Sequence, residues 1–504
     1  MSRVMSSSGE AEGNIEPPNP NQLPPPTSKW KLSLIFFSSS LILVLAISLG
    51  LADLFKAHLL RTPLSSNPTA FHRIFGHFIP LGPRWHPDSD GADPSSYASS
   101  PCVLWMAPFL SGGGYSSEAW SYVLSLHNHL RIKKTSRFQV GIEQHGDLES
   151  LEFWEGLPAD VRSLAMTLHR TRCEPNRTIV VCHSEPGAWN PPLFQTLPCP
   201  LYGYEDYRYV IGRTMFESDR VGPEHARRCN RMDYVWVPTD FHVRTFVSSG
   251  VDPSKVVKVV QPVDVEFFDP EKYEPADLSS LGDLILGQRL SRKEGFVFLS
   301  VFKWEFRKGW DLLLSAYLKE FDGSDGVSLW LLTNPYHSDR DFGNRIVEYV
   351  KKSDMWVPVK GWAPIYVIDA HIPQSDLPMI YRAADGFVLP SRGEGWGRPI
   401  VEAMAMSLPV IATNWSGPTE YLTEENGYPL PVESMAEVVE GPFKGHLWAE
   451  PSVGKLRRLM RRLVSDPDEG RNRGKQARRD MIRRFSPEIV AEIVAQEIEK
   501  LLQS

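Results

Sequence analysis

Phe387-Val-Leu-Pro-Ser-Arg-Gly-Glu-Gly-Trp-Gly-Arg-Pro-Ile-Val-Glu402 is the stretch from which the fold is read. Phe387 to Leu389 is a short apolar run ending at Pro390, the pattern of a buried strand. Gly393, Gly395 and Gly397 follow, and glycine both lets backbone N–H groups come close to a ligand and accepts positive φ. Pro399 suits the first turn of a helix, which would run through Ile400, Val401, Ala403 and Met404. A strand thus ends in a loop that feeds a helix N-terminus, where free N–H groups and the helix dipole both favour an anion. Glu394 lies in the loop and Glu402 in the first turns of the helix, so two carboxylates flank one crevice without sharing a helix face.

This pattern resembles the E-x7-E motif of retaining glycosyltransferases with two Rossmann-like domains, the GT-B fold, family 4. The resemblance implies that Glu394, with Gly395, Trp396 and Gly397, holds the donor sugar, and that Glu402 holds the nucleotide ribose. Two solvated glutamates on an ordinary strand–loop–helix unit would give the same spacing. The Gly-Glu-Gly-Trp-Gly-Arg-Pro context carries the resemblance, not the spacing.

The chain has 504 residues, enough for a membrane-anchored protein of two medium domains. A net charge of −7 argues against a nucleic-acid partner. Residues 1–29 are polar and rich in Ser, Pro and Asn, which predicts a disordered tail. Leu32 to Ala52 carries no charged residue, and about 20 such residues span a bilayer core. Lys29, Trp30 and Lys31 anchor one side and Lys56 the other. The expectation is an uncleaved signal-anchor helix over 32–54, against a cleaved signal peptide or a buried helix as rivals. The flanking charge is nearly balanced and does not orient it. Residues 57–100 read as a stem. The five cysteines, Cys102, Cys173, Cys182, Cys199 and Cys229, fit no zinc spacing. They are either reduced core residues or, in an oxidising lumen, one or two disulfides with an odd thiol, and spacing does not fix the connectivity.

The first globular part is expected over 101–270. Val103 to Met106 is a strand, and Gly112, Gly113 and Gly114 lie in the loop before a helix from Glu118 to Leu130. Strand, glycine loop and helix make a Rossmann-type opening without the dinucleotide fingerprint. The resemblance implies that this loop lies against the donor diphosphate and the acceptor; a plain tight turn is the alternative. Further strands are Phe138–Ile142, Thr178–Cys182, Tyr209–Ile211, Tyr234–Val237 and Val256–Val260. His183 follows the third, and related enzymes place a His beside the donor sugar in a similar position; a packed, hydrogen-bonded His is the other reading. Arg213 and Glu217 are candidates for the acceptor side, or else an internal ion pair or a capped helix start. Asp240 is a plausible helix cap. Val263 to Pro270 and the polar stretch to Arg292 form the hinge region, where the Val-Asp-x-x-x-Phe-x-Pro pattern also resembles the family.

The second domain is expected over 290–485. Phe296 to Val301 is a strand, followed by Phe302-Lys-Trp-Glu-Phe-Arg-Lys-Gly309 and an amphipathic helix. The resemblance implies that Lys308 and a second cation, Lys303 or Arg307, hold the donor diphosphate, whose charge grows as it leaves. A solvated basic turn is the alternative. Further strands are Val327–Leu332, Ile365–Ile368 and Pro409–Ala412, and Gly417–Glu420 starts another helix. From Leu456 onward the chain is basic and helical, a run that suggests membrane or nucleic-acid contact, with a solvated helix face as the favoured reading. The final helix, over 486–504, is expected to pack back on the first domain.

The expected architecture is therefore α/β, two Rossmann-like doubly wound domains of GT-B type with an N-terminal transmembrane helix. The implied function is retaining transfer of a hexosyl group from a nucleotide sugar, UDP- or GDP-linked, to a hydroxyl on a glycan, lipid or small molecule, with no metal and no other cofactor. Asp88-Ser-Asp90 and Asp466-Pro-Asp468 are not credible metal motifs. Rival readings are a catalytically silent membrane scaffold or sugar-binding protein, and an epimerase or phosphorylase on the same fold. A single anchor after a short tail, with the sequon Asn176-Arg-Thr178, predicts a type II protein of the Golgi or endoplasmic reticulum, glycosylated at Asn176. A second sequon, Asn414-Trp-Ser416, is expected to stay unmodified beside the site.

Overall fold

The computed structural model describes residues 100–133, 137–289, 295–335, 340–353, 355–370, 372–441 and 443–503. The expected tail, anchor helix over 32–54, stem to residue 99 and Asp88-Ser-Asp90 lie outside the described residues. Among the described residues no helix is long and apolar enough to cross a membrane.

Two sheets carry the fold, both within one unit, Thr69–Ser504. The first is parallel throughout: β1 (Cys102–Ala107), β2 (Gln139–Gln144), β3 (Thr178–His183), β4 (Tyr209–Arg213), β5 (Tyr234–Val237) and β6 (Val256–Lys258), in the order β2-β1-β3-β4-β5-β6. Every residue of β1 and β3 is buried, as a parallel sheet covered on both faces requires. Side chains alternate across it. Val103, Trp105, Ile179 and Val181 pack on one face with the helix Gly114–Lys133. Leu104, Met106, Val180 and Cys182 pack on the other. The last helix, Pro487–Gln503, puts Val490, Val494, Ala495 and Ile498 into the first of these clusters. Cys102 is disulfide-bonded to Cys173 and Cys182 to Cys199, leaving Cys229 free and buried.

The second sheet contains β7 (Asp283–Leu286), β8 (Phe296–Trp304), β9 (Val327–Pro335), β10 (Ile365–Ile368), β11 (Gly386–Leu389), β12 (Val410–Thr413) and β13 (Tyr428–Leu430), ordered β13-β12-β11-β8-β9-β10-β7. Its pairs are parallel except β7, which runs antiparallel to β10 at the edge. A separate antiparallel pair, β14 (Val432–Glu437) and β15 (Leu447–Pro451), forms a two-stranded arm.

Several expected elements shift. The stretch 270–292, read as hinge alone, contains the edge strand β7. β6 ends at Lys258, two residues early, while β8 runs three residues past Val301, because Phe302 and Trp304 both turn into the core. Lys303 is therefore a strand residue. The helix after β5 is capped by Thr239, whose Oγ1 accepts from the His242 N–H at 3.2 Å, and Asp240 instead pairs with Lys258 at 2.9 Å. Gly417–Glu420 is one 3-10 turn. The basic C-terminal segment forms the helices Val453–Ser465 and Pro467–Phe485. Part of its charge is internal: Arg478 donates to the carbonyls of Ala405, Val265 and Phe268, and Arg461 binds Glu320 and Asp325.

Each sheet has a point where the chain reverses its direction of growth, between β1 and β3 and between β8 and β11. The C-terminal ends of strands at such points form the crevice in which open α/β sheets take ligands. The C-terminal ends of β1, β3, β8 and β11 lead to Gly112–Gly114, His183 (the last residue of β3), Lys308 and Glu394.

Helix-to-loop packing yields a prediction whose sign opposes helix propensity. Gly474 lies inside the helix Pro467–Phe485, and a Cβ there would overlap the Ser407 carbonyl. Gly454, in the helix Val453–Ser465, has open space around its Cβ position. Gly454→Ala should stabilise the fold by about 0.4–1 kcal/mol. Gly474→Ala should destabilise it by ~1–3 kcal/mol, the cost of overpacking. Denaturant unfolding of the two variants checks the opposite signs.

Candidate functional site

The turn after β8 is a single 3-10 turn, Phe306–Lys308, closed by Gly309 at φ 68°. That conformation suits glycine, and a Cβ on Gly309 would overlap the carbonyl of Pro390 in the loop after β11. The two loops therefore touch through backbone. Lys308 Nζ consequently lies 2.8 Å from both carboxylate oxygens of Glu394. Arg307 Nη1 lies 3.5 Å from Glu394 Oε2 and donates to the Gly393 carbonyl at 2.6 Å. Of the two candidates for the second cation, Arg307 is the one at Glu394. Lys303, on β8, acts electrostatically on Asp147 of the first domain.

Glu394 is 4% exposed. Burial pushes its carboxyl up, but Lys308 and Arg307 outweigh that and hold it below the usual range. Its N–H donates to Ser416 Oγ at 3.0 Å, and its carbonyl accepts from the Gly417 N–H at 2.9 Å. Glu402, on the helix Arg398–Ala405, behaves oppositely. Burial raises its carboxyl, offset only in part by Arg398 at 3.8 Å and by the Tyr381 hydroxyl, which donates to it at 3.0 Å.

The glycines of the motif divide the work. Only Gly397 has positive φ, 93°. Gly393 and Gly395 give room to the other domain: a Cβ at Gly393 would overlap the Glu217 carbonyl, and one at Gly395 would meet the Met215 side chain at 2.6 Å. Trp396 was expected on the donor. It is 2% exposed and packs edge-on against Tyr421 and Phe485, so its ring serves the core.

Across the cleft, Gly114 opens the helix Gly114–Lys133, with Gly112 at φ 68° and the Gly113 N–H donating to Ser111 Oγ at 3.1 Å. A Cβ at Gly113 would lie 3.5 Å from Asp147 Oδ2. His183 and Arg213 need correction as direct ligands. His183 is 0% exposed and Arg213 1%. Both are turned onto Glu118, one turn into that helix: Arg213 reaches Glu118 Oε1 at 2.5 and 2.9 Å, and His183 Nε2 lies 3.2 Å from Oε2. The Trp105 indole N–H donates to His183 Nδ1 at 3.0 Å. An indole can only donate, so the ring proton sits on Nε2, facing Glu118. Burial keeps His183 neutral, with its pKa lowered. Burial also works against the Glu118 charge, yet Arg213 and His183 hold its carboxyl at about 2. Glu217 is partly exposed, and its carboxylate lies 3.7 Å from Arg307 Nη2. It thus meets the cation turn across the cleft.

Two residues escaped the sequence reading. Glu118 was read only as a helix start. Arg392, inside the motif, is 2% exposed and spends all five N–H groups on Asp311, Glu450 and the Phe306 carbonyl. Among the described residues no group of three or more His, Cys, Asp or Glu could hold a metal ion; Asp466 caps a helix by accepting from the Glu469 N–H at 3.0 Å. Asn176 is exposed on the turn Pro175–Arg177. Asn414 is also exposed, although Ser416 of its sequon is buried against Glu394.

Residues 293–441 match the family model described as Glycosyl transferases group 1. Mannosylfructose-phosphate synthase of Agrobacterium fabrum is 32% identical over 127 residues, which cover 25% of this chain and only 26% of that relative's length. The structure of Anabaena Alr3699/HepE in complex with UDP and glucose has a TM-score of 0.53 at 13% identity and covers 79% of this chain and 100% of that one. A glycosyltransferase from Rickettsia africae gives 0.53 at 15% identity, over 81% and 100%. These likenesses give the fold. The chain carries, over residues 293–441, a glycosyl transferases group 1 domain within a two-domain α/β fold of GT-B type.

Proposed function

We propose that this chain is a retaining, metal-independent glycosyltransferase that moves a hexosyl group from a UDP- or GDP-sugar to an acceptor hydroxyl. One observation carries the reading: Lys308 and Arg307 converge on the buried Glu394 at the sheet's reversal point, beside a helix N-terminus. That arrangement suits a group that must leave as an anion. A departing diphosphate gains charge, and fixed cations and helix N–H groups stabilise it more in the transition state than in the bound donor. Glu394 holds Lys308 in place and offers its remaining acceptor capacity to sugar hydroxyls. Glu402 recognises the ribose. No side chain is assigned as a covalent nucleophile; the leaving diphosphate takes the acceptor's proton on the same face. His183, Glu118 and Arg213 support the acceptor wall from beneath, with Gly112–Gly114 and Glu217 at its surface. HepE, as a complex with UDP and glucose, supports a UDP-sugar as the first donor to try.

The test is a panel of nucleotide sugars offered to the purified chain, with and without EDTA. Release of nucleoside diphosphate, unchanged by EDTA, is the expected outcome. An epimerised donor, or no turnover of any donor, would overturn the reading.

The two halves of the motif should respond differently to mutation. Removing one fixed electrostatic stabiliser costs ~10²–10³ in kcat, so Lys308→Ala should fall in that range. Lys308→Arg should recover only part of the loss, because a planar fork replaces a compact ammonium. Glu402→Gln should instead weaken nucleotide binding. Glu402's folded pKa is raised, so its ionised form disfavours the fold, and stability is lost as pH rises through that pKa. Glu402→Gln keeps the Tyr381 hydrogen bond without the charge, so at neutral pH its Tm should be unchanged or higher. Thermal unfolding beside donor KM and kcat reads both effects; a destabilised Glu402→Gln of normal affinity would contradict the assignment.

We further propose that the globular part is lumenal, in the Golgi or endoplasmic reticulum, behind a type II anchor at 32–54. The two disulfides and the exposed Asn176 sequon support an oxidising, glycosylating compartment. In sealed microsomes the C-terminal half should resist protease until detergent is added; digestion without detergent would place it in the cytosol.

A further inference from the structure

The arm formed by β14 and β15 touches both domains. Near its turn it grips the first domain. The Asp219 N–H donates to the Leu447 carbonyl at 2.9 Å, and the Leu447 N–H donates to Asp219 Oδ1 at 2.7 Å. Ser218 Oγ lies 2.8 Å from His446 Nδ1, and Phe443 meets Phe216 edge-on at 5.4 Å. Along β15 the arm grips the donor loop. The Ala449 N–H donates to the Arg392 carbonyl at 2.9 Å, and Glu450 takes Arg392 Nε at 2.8 Å and Nη2 at 3.0 Å.

Arg392 passes the contact on. Its Nη1 donates to the Phe306 carbonyl at 2.8 Å, and its guanidinium lies 3.8 Å over the Phe306 ring. It forms a two-pronged pair with Asp311, which opens the next helix, at 2.8 Å on each prong. Its backbone N–H donates to the Arg307 carbonyl at 2.6 Å. Arg307 then returns to the first domain at Glu217, 3.7 Å away. The contacts close a ring: loop 216–219, arm, Arg392, cation turn, loop 216–219.

A guanidinium this buried is costly unless every donor is met. Here every donor is met by the turn, by Asp311 at the start of the helix behind it, or by the arm. Glu450 lies beyond the residues 293–441 that match the group 1 family, so this partner of Arg392 comes from outside the matched domain.

We propose that the β14–β15 arm is a clamp that transmits closure of the two domains to the cation turn, with Arg392 as the positioning residue that holds Arg307 and Lys308 in register. What the turn then does for the reaction rests on the proposed function. The clamp itself does not, and the experiment separates them.

The full chain is compared with Asp219→Ala, Glu450→Gln, their double variant and Arg392→Lys. Asp219 contacts no residue of the turn, so a merely local role predicts no change there. The clamp predicts that Asp219→Ala raises amide hydrogen exchange across residues 306–309 several-fold. Remote displacement of a reacting group can cost up to about a hundredfold, so kcat should fall about ten- to a hundredfold in either single variant. UDP or GDP affinity should fall as well, because the cations of the turn hold the diphosphate, while affinity for uridine or guanosine should change less than about twofold, because the proposed ribose contact at Glu402 lies off the ring. The double variant should lose no more than the worse single one, since both break the same ring. Arg392→Lys keeps the charge but cannot meet five acceptors, and should raise exchange and lower kcat as the single variants do. Glu450→Gln is nearly isosteric and keeps the test readable if Asp219→Ala misfolds. Unchanged exchange at 306–309 in a folded Asp219→Ala, or in both single variants, or additive losses in the double, overturns the clamp. A wild-type chain that turns over no nucleotide sugar sinks the proposed function instead, while the exchange comparison still decides the clamp.

Discussion

The site rests on a backbone contact. Gly309 lies against the carbonyl of Pro390, in a left-handed conformation and with no room for a Cβ. β8 and β11 are neighbours in the sheet, so their loops leave it side by side. Without that close approach the Lys308 ammonium and the Glu394 carboxylate would sit on separate loops, each solvated. With it they meet at 2.8 Å, nearly excluded from water. The same glycine's carbonyl accepts from the Leu313 N–H and so starts the helix behind the turn. One residue thus sets the loop spacing, the helix start and the ion pair.

Two glutamates eight positions apart are pushed in opposite directions by their surroundings. Both are buried, which raises a carboxyl. Glu394 faces two cations and stays ionised; Glu402 has a tyrosine hydroxyl and one distant arginine, and its charge is disfavoured. Opposite shifts in one crevice suit different tasks, one a fixed anion that holds a cation, the other a hydrogen-bonding carboxyl for a neutral partner. In the first domain Glu118 solves the burial problem as Glu394 does, with Arg213 supplying the charge, yet it is sealed from the cleft. Identical chemistry there is architectural: it ties β3, β4 and the first helix together below the glycine loop.

What the sequence could reveal follows from how far each feature depends on distant partners. β1, β3, β5, β11 and β12 were legible because strands buried on both faces read as continuous apolar runs. β7 was not, being four residues at a sheet edge whose register is set only by β10. The motif showed which loop mattered and which residue types filled it. It could not show that the Trp396 ring turns into the core against Phe485, or that His183 and Arg213 face Glu118, because those partners lie tens of residues away in sequence. That Lys303 lies on the strand and Arg307 in the turn follows from the length of β8, whose three further residues are held by Phe302 and Trp304 turning into the core. Arg392 was in plain view inside the motif, but the three residues that meet its five N–H groups span 306 to 450.

The glycines of the motif show how site and closure are joined. A ligand-facing loop needs glycine for access, and nothing in that need explains why Gly393 abuts the Glu217 carbonyl or Gly395 the Met215 side chain. Both neighbours come from the loop after β4, in the other domain. A side chain at 393 would have to displace a carbonyl, which cannot swing aside as a side-chain end does. The domains would then be held apart at the point where Arg307 meets Glu217. Backbone therefore meets backbone across the cleft, and the loop that holds Glu394 is shaped by the first domain as much as by its own sheet. The carboxylate and its cations thus sit on a loop that packs against both halves.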